Sequence, residues 1–390
     1  MRLNVSHRGT EDAQRTQNEM LCVSVALCET HSKEISMNKK SIVVACGGTG
    51  GHVFPGLAVA NELKRRGHQV EVWFSGRAVE AAAHPGWDGD VFLTGARQLS
   101  LQNTPRMIRA FFRCLKAIKR HRPDALLAMG SYASLPPVLA AWLHRIPVIL
   151  HESNTVPGKA VDALSRFAHV VATSFDETAD WLPRRKVVKT GLPVRETLAG
   201  QPPLGDVPSG AFTVFVTGGS QGAHRINQLT AQAMCLLKQS GVNGFFVIHQ
   251  TGTADEAMVR GAYEKAGVPA FVSAFITEVG RAYASADLVI ARAGASTCLE
   301  LCLLGKPAFL IPLPSAVRDH QQLNAAALVR TGGADMGIQR ELTGRTLMRY
   351  VLNKKNNPDS LRKMGEALKT LSPEAATGRI ATLIERTGAS

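Results

Sequence analysis

A histidine ends one of two glycine-rich turns in this chain, and nothing else in the sequence reads so directly as chemistry. The first turn is Gly47-Gly48-Thr49-Gly50-Gly51-His52, one residue after the apolar run 41–45. Four glycines let a bulky ligand approach the backbone closely. An imidazole at the start of the following helix can serve as a base near neutral pH, although a tight turn with a solvent-facing histidine has the same pattern. The second turn, Gly218-Gly219-Ser220-Gln221-Gly222-Ala223, follows the apolar run 213–216. It offers backbone N–H groups and the Ser220 hydroxyl to a phosphate, or is a purely structural bend. Neither turn is the dinucleotide fingerprint: in the first, Val53 stands where that motif needs glycine or alanine, and no Lys-Ser/Thr of a P-loop is present.

Other polar groups gather where an open α/β sheet binds ligands, at the ends of apolar runs. Arg292-Ala293-Gly294-Ala295-Ser296-Thr297-Cys298-Leu299-Glu300 follows the run 288–291. It makes a third helix start with hydroxyls for phosphate, and Glu300 one turn on could grip two ribose hydroxyls; a simple cap is the alternative. His151-Glu152-Ser153-Asn154 follows 147–150, and Gly130-Ser131-Tyr132-Ala133-Ser134 follows 125–129. The amides of Asp319-His320-Gln321-Gln322-Leu323-Asn324 could meet sugar hydroxyls or stand as solvated surface. Asp88-Gly89-Asp90 resembles a short metal-binding pattern but precedes the apolar 91–93, which reads as turn chemistry. No metal site and no cofactor is expected.

These groups need elements to hold them. Apolar and helix-like segments alternate at 41–45, 56–66, 69–74, 105–120, 125–129, 135–143 and 147–150, and again at 212–216, 225–239, 245–249, 254–266, 288–291, 297–304 and 308–311. That rhythm predicts an α/β fold of two Rossmann-like parallel-sheet domains with a cleft between them. The Pro/Gly-rich stretch 200–210 reads as a surface loop opening the second domain, with the hinge near 190–195. The 390 residues suffice for two full cores. Seven cysteines without a CxxC pair indicate a reducing, cytoplasmic setting.

No apolar stretch is long enough to span a membrane. Met37-Asn38-Lys39-Lys40 stands directly before the first strand, so residues 1–36 read as a disordered extension or a mis-assigned start. The net charge of +14 lies in the body: 97–122 holds eight Arg and Lys residues and no acid. Within it, Pro105 opens a helix in which Met107, Ile108, Phe111, Phe112, Leu115 and Ile118 interleave with Arg106, Arg109, Arg113, Lys116 and Arg120. A core-facing helix with a basic back fits, as does a helix that meets an anionic membrane surface through Arg106, Arg109, Phe111, Phe112, Arg113 and Lys116. Nothing in the set points to nucleic acid.

Taken in order, residues 47–55 (GGTGGHVFP), 130–136, 151–154, 191–195 (GLPVR), 218–223 (GGSQGA), 274–276, 292–300 and 320–325 resemble the MurG family of peptidoglycan enzymes closely, over nearly everything from Met37 to Arg386. The resemblance implies a GT-B architecture and an inverting glycosyltransferase. Such an enzyme moves N-acetylglucosamine (GlcNAc) from UDP-GlcNAc to undecaprenyl-diphospho-N-acetylmuramoyl-pentapeptide, converting lipid I to lipid II at the cytoplasmic face of the bacterial inner membrane. Its domains would be 37–195 for the acceptor and membrane and 196–371 for UDP-GlcNAc, with 372–390 returning to the first.

Carried over residue by residue, the donor would meet Ser220 and Gln221 at its diphosphate and Ile276 at uracil through the backbone. Ala295, Ser296, Thr297 and Glu300 would hold phosphate and ribose, and Gln321 and Gln322 the sugar. Thr49, Gly50, Gly51 and Asn154 would face that sugar from the first domain, with Arg195 near the junction. Gly48, Tyr132 and Ser134 would line the acceptor site. His52 is the first choice for the base, with Glu152 as the alternative. Cys46, Ser131 and Ser153 depart from the family's usual alanine, glycine and glutamine, and 313–318 lacks a common aromatic. A diacylglycerol glycosyltransferase and a UDP-GlcNAc 2-epimerase are the competing readings.

Overall fold

The computed structural model describes residues 39–387 apart from 49, 78–79, 81–85 and 195–197. The extension 1–36, Thr49 and Arg195 thus lie outside the described residues. In the first half, β1 (Ser41–Ala45), α1 (Gly50–Arg65), β2 (Gln69–Phe74), β3 (Asp90–Leu93), α2 (Thr104–His121), β4 (Ala125–Ala128), α3 (Leu135–Leu143), β5 (Val148–Glu152), α4 (Lys159–Leu164), β6 (Val170–Thr173) and β7 (Val187–Lys189) follow one another. They build a seven-stranded sheet in the order β3-β2-β1-β4-β5-β6-β7, every neighbouring pair parallel.

The second half repeats the plan. It runs β8 (Phe212–Thr217), α5 (His224–Gln239), β9 (Phe245–Gln250), α6 (Glu256–Ala266), β10 (Ala270–Ser273), α7 (Val279–Ser285), β11 (Leu288–Ala291), α8 (Ala295–Leu304), β12 (Ala308–Leu310), α9 (His320–Arg330), β13 (Ala334–Met336), α10 (Gly344–Lys355), α11 (Pro358–Lys369) and α12 (Ala376–Arg386). Its six strands, again all parallel, lie in the order β10-β9-β8-β11-β12-β13.

Continuous apolar runs make these strands because helices cover both faces of each sheet. Val44, Leu126, Leu127, Ile149, Val214, Phe215, Val216 and Ile290 are all sealed from solvent. Each sheet reverses direction of growth once, between β1 and β4 and between β8 and β11. Ligands of open α/β sheets bind beyond the carboxyl ends of strands at such a switch point. The loops leaving those four strands begin with the turn at 46–48, the segment 129–131, the turn at 218–223 and the segment 292–294.

The last helix, α12, packs back on α1. Arg66 Nη1 reaches Glu385 Oε2 at 2.9 Å and Thr382 Oγ1 at 3.0 Å, His68 Nε2 meets Glu385 Oε1 at 3.0 Å, and Arg379 Nε donates to the Thr190 carbonyl at 2.9 Å. Further contacts from α9 and the segment before it join the second half to the first: Asn324 to Asn154 and Thr155, Arg318 to Asp162, and Arg330 to Glu177.

Candidate active site

The turn between β1 and α1 is held by a carboxylate that sequence alone gave no reason to choose. Glu80, 2% exposed, accepts from the Gly48 N–H at 2.8 Å, from the Gly76 and Arg77 N–H groups at 2.6 and 2.9 Å, and from the Ser75 hydroxyl. A carboxyl group of the chain's own therefore already occupies one donor of this turn, and Gly48 contributes its shape rather than its N–H. Gly48 adopts φ +126°, and a Cβ there would sit 3.1 Å from Ser131 Oγ. Ser131, in place of a usual glycine, itself has φ +69°. Its hydroxyl donates to the Gly47 carbonyl at 2.8 Å and accepts from the Ala133 N–H, two bonds that offset the strained backbone.

His52 lies in the first turn of α1, half-buried, with its ring over Gly130: a side chain at Gly130 would come 3.6 Å from His52 Cδ2 and 3.3 Å from the His151 carbonyl. The expectation of a base titrating near pH 7 is corrected here. Desolvation pulls the imidazole down to about 4, so it is neutral at physiological pH but weakly basic in the unliganded site. His151 behind it is sealed from solvent and also lowered to about 4, by burial against the favourable Gly191 carbonyl bond and with His52 nearby.

Glu152 does not present a base. Its Oε1 accepts from the Asn154 N–H and side-chain amide at 2.9 and 3.0 Å, and its Oε2 from the Gly158 N–H at 2.9 Å. Burial raises its pKa against those three bonds. The carboxylate thus shapes the 154–158 loop and aims Asn154. Asn154 Oδ1 in turn accepts from Asn324 at 3.1 Å, and Asn324 Oδ1 accepts from the Thr155 N–H and hydroxyl at 2.9 and 2.8 Å. Asn324, wholly buried, reaches the Ala293 carbonyl as well. It clamps the two halves of the molecule, where sequence suggested only an amide for a sugar. Ser134 is a second correction: it is 1% exposed and its hydroxyl donates inward to the Gly130 carbonyl, so it faces no acceptor. Tyr132 stays partly exposed beside it.

On the other side, the 218–223 turn stands open. Ser220 and Gln221 are exposed at its tip. Gly222 must be glycine, since a Cβ there would meet the Thr251 carbonyl at 1.9 Å. Neither α5 nor α8 has a side-chain cap, which leaves their first N–H groups to a ligand. Ala295, Ser296 and Thr297 form the first turn of α8, partly exposed. Glu300, one turn further, accepts from the buried Tyr283 hydroxyl at 2.9 Å.

The Ile276 N–H donates to Gln250 Oε1 at 3.0 Å, so one of the two backbone groups expected to meet uracil is engaged. Gln250 Nε2 donates to the Gly219 carbonyl at 3.1 Å and so ties that position to the 218–223 turn. Gln321 Oε1 accepts from the Leu313 N–H at 2.9 Å, while Gln322 is exposed. Asp88 pairs with Lys64 at 2.6 Å on the surface, in keeping with turn chemistry. Glu80, Tyr283 and Gln250 went unseen because a single buried polar residue in an apolar or loop stretch leaves no periodic signal.

Comparison with known proteins agrees with this geometry. Residues 42–173 match the glycosyltransferase family 28 N-terminal domain and residues 213–378 its C-terminal domain. The chain is 37% identical over 355 residues to the UDP-N-acetylglucosamine–N-acetylmuramyl-(pentapeptide) pyrophosphoryl-undecaprenol N-acetylglucosamine transferase of Pelobacter propionicus, covering 83% of this chain and 93% of that one. The same-named enzyme of Myxococcus xanthus is 39% identical over 345 residues, covering 86% and 90%. The crystal structure of Acinetobacter baumannii MurG superposes with a TM-score of 0.72 at 32% identity, over 89% of this chain and 99% of that one. A UDP-GlcNAc 2-epimerase of Neisseria meningitidis shares the fold alone, at 13% identity, 88% and 99% coverage and a TM-score of 0.64. Two family 28 domains in sequence and full-length relatives above one-third identity place this chain in glycosyltransferase family 28, as a member of the MurG family.

Proposed function

We propose that the chain transfers GlcNAc from UDP-GlcNAc to the lipid-linked N-acetylmuramoyl-pentapeptide, as the names of its relatives describe. The observation that carries this is the convergence of four ligand-type loops on the switch points of two sheets, in a chain so similar to those enzymes. In this reading 37–195 takes the acceptor, 196–371 takes the donor, and 372–390 crosses back to the first half. Ser220, Gln221, Ile276, Ala295, Ser296, Thr297, Glu300, Gln321 and Gln322 hold the donor; Gly50, Gly51 and Asn154 face its sugar. Thr49 and Arg195 belong to the same proposal.

An acceptor hydroxyl attacks the anomeric carbon from the side opposite the diphosphate. The new C–O bond forms as the bond to the β-phosphate oxygen breaks, the electron pair leaves with UDP, and the proton passes to His52. Two substrate diphosphates bring negative charge beside that imidazole, which raises its basicity when it is needed. Uncapped N-terminal turns of α5 and α8 receive the leaving-group charge.

The acceptor's lipid calls for a membrane surface, and the first half offers one. On α2, Ile108 and Phe112 are 52% and 62% exposed among Arg106, Arg109, Arg113 and Lys116, with Leu101 95% exposed just before it. Trp142 on the adjoining α3 adds an exposed aromatic. Among the described residues no helix is long and apolar enough to cross a membrane. We assign this face to the anionic inner leaflet of the plasma membrane.

UDP release from UDP-GlcNAc tests the proposal, with a lipid I analogue, diacylglycerol or no acceptor, each with and without chelator. Release only with the lipid I analogue, insensitive to chelator, is expected. Release with diacylglycerol, or product without acceptor, would favour the transferase or epimerase alternative.

A further inference from the structure

Tyr283 is a buried titratable group that the reaction does not use, yet it touches the residue given to ribose. Its ring, 2% exposed on α7, stands edge-on to Phe215 of β8, with centroids 5.2 Å apart and planes at 90°. The core therefore fixes where the hydroxyl points. That hydroxyl donates to Glu300 Oε2 at 2.9 Å. A glutamate on a helix turns freely about several torsions, and ordering it on binding would cost affinity. Accepting from two neighbouring hydroxyls of one ribose demands a carboxylate of set plane and position.

We infer that Tyr283 is a positioning residue, holding the Glu300 carboxylate ready for the 2′- and 3′-hydroxyls of a uridine diphosphate sugar and thereby setting a preference for ribose over deoxyribose nucleotides. The inference rests on the reading of Glu300 as the ribose ligand. Burial and the neighbouring carboxylate keep the phenol protonated, raising its pKa well above the usual 10, so it acts as a donor at every working pH. The device works by pre-organisation: Tyr283 touches no substrate, and its effect reaches the nucleotide only through Glu300.

Titration calorimetry of the full chain with UDP and with 2′,3′-dideoxy-UDP tests this. The wild type is expected to bind UDP at least about tenfold more tightly. Tyr283→Phe, which keeps the ring against Phe215, should lose most of that ratio through weaker UDP binding, with dideoxy-UDP binding unchanged. Glu300→Ala should lose it too, and the double variant should lose no more than Glu300→Ala alone. Glu300→Asp, which withdraws the carboxylate from the phenol, should repeat the loss while leaving Tyr283 itself unchanged.

A Tyr283→Phe or Glu300→Asp protein that keeps the full wild-type ratio overturns the positioning role, as does equal weakening of both ligands by Tyr283→Phe. A wild type that binds both ligands equally would instead remove the ribose assignment of Glu300 on which the role depends.

Discussion

His52 gains its character from what surrounds it rather than from its place in a motif. Free imidazole titrates near 6.5; partial burial over Gly130 and beside His151 brings it to about 4. A base works only when deprotonated, so activity falls as the pH drops through its pKa. The acid limb of kcat/KM, which reports the free enzyme, is therefore expected near pH 4 to 5 rather than 6.5. The limb of kcat should lie higher, because bound diphosphates favour the imidazolium. His52→Ala should lower kcat by about 10²- to 10⁴-fold while leaving UDP binding intact. Turnover unchanged in a folded His52→Ala protein would end its assignment as the base. The same locality separates the two glycine turns: at the first, Glu80 fills the Gly48 donor with a carboxylate of the chain's own, while at the second Ser220 and Gln221 are exposed.

At the scale of elements, α2 shows how far patterning carries. Its existence and bounds were legible, since the predicted 105–120 and the observed Thr104–His121 nearly coincide. Its apolar side chains were not one stripe, however. Met107, Ala110, Cys114, Ala117 and Ile118 face the core, while Ile108 and Phe112 stand out among the arginines. Helical spacing cannot tell these apart when apolar residues exceed what one face can bury. Strands β1, β2, β8 and β11 were equally plain as apolar runs, whereas β6, β7, β10 and β13 carry Thr173, Lys189, Ser273 and Asp335 within three or four residues and did not stand out. Legibility thus follows apolar continuity and periodicity, and it failed for polar residues such as Tyr283 and Asn324, whose partners lie far off in sequence. If α2 meets the membrane, Phe112→Asp should weaken binding to phosphatidylglycerol vesicles at least about tenfold. The melting temperature should hold, since a half-exposed side chain contributes little to stability. A cosedimentation assay at fixed ionic strength measures this, and undiminished binding would assign the surface to another role.

The molecule as a whole keeps several histidines neutral in its interior, and that sets its response to acid. His249 is sealed between the Tyr263 hydroxyl at 2.9 Å and Asn227 Oδ1 at 3.1 Å; His151 is sealed against the Gly191 carbonyl. Burial lowers them to about 3 and about 4. Unfolded, each would take a proton near pH 6.5. Between those values the unfolded chain binds more protons than the folded one, so stability is fully present above pH 6.5 and drains away as the pH falls toward 4. From pH 7 to pH 5 the loss is on the order of 2 kcal/mol for each histidine. Asp255, whose pKa is lowered by its bonds from His224 and Asn227 against desolvation, adds to the loss at still lower pH, while Glu152, raised by burial, works against it. The contacts between the halves magnify the consequence. Arg318–Asp162 and Arg330–Glu177 are exposed pairs worth about 1 kcal/mol or less each, so the clamp depends on the buried Asn324 and on the loop that Glu152 shapes. Urea unfolding at pH 7 and pH 5 should therefore show a midpoint markedly lower in acid. His249→Gln, which retains an amide for Asn227 and cannot be protonated, should be less stable than the wild type at pH 7 yet lose about 2 kcal/mol less on going to pH 5. A His249→Gln protein with the full wild-type pH dependence would show that the buried imidazole is not the group that acid finds.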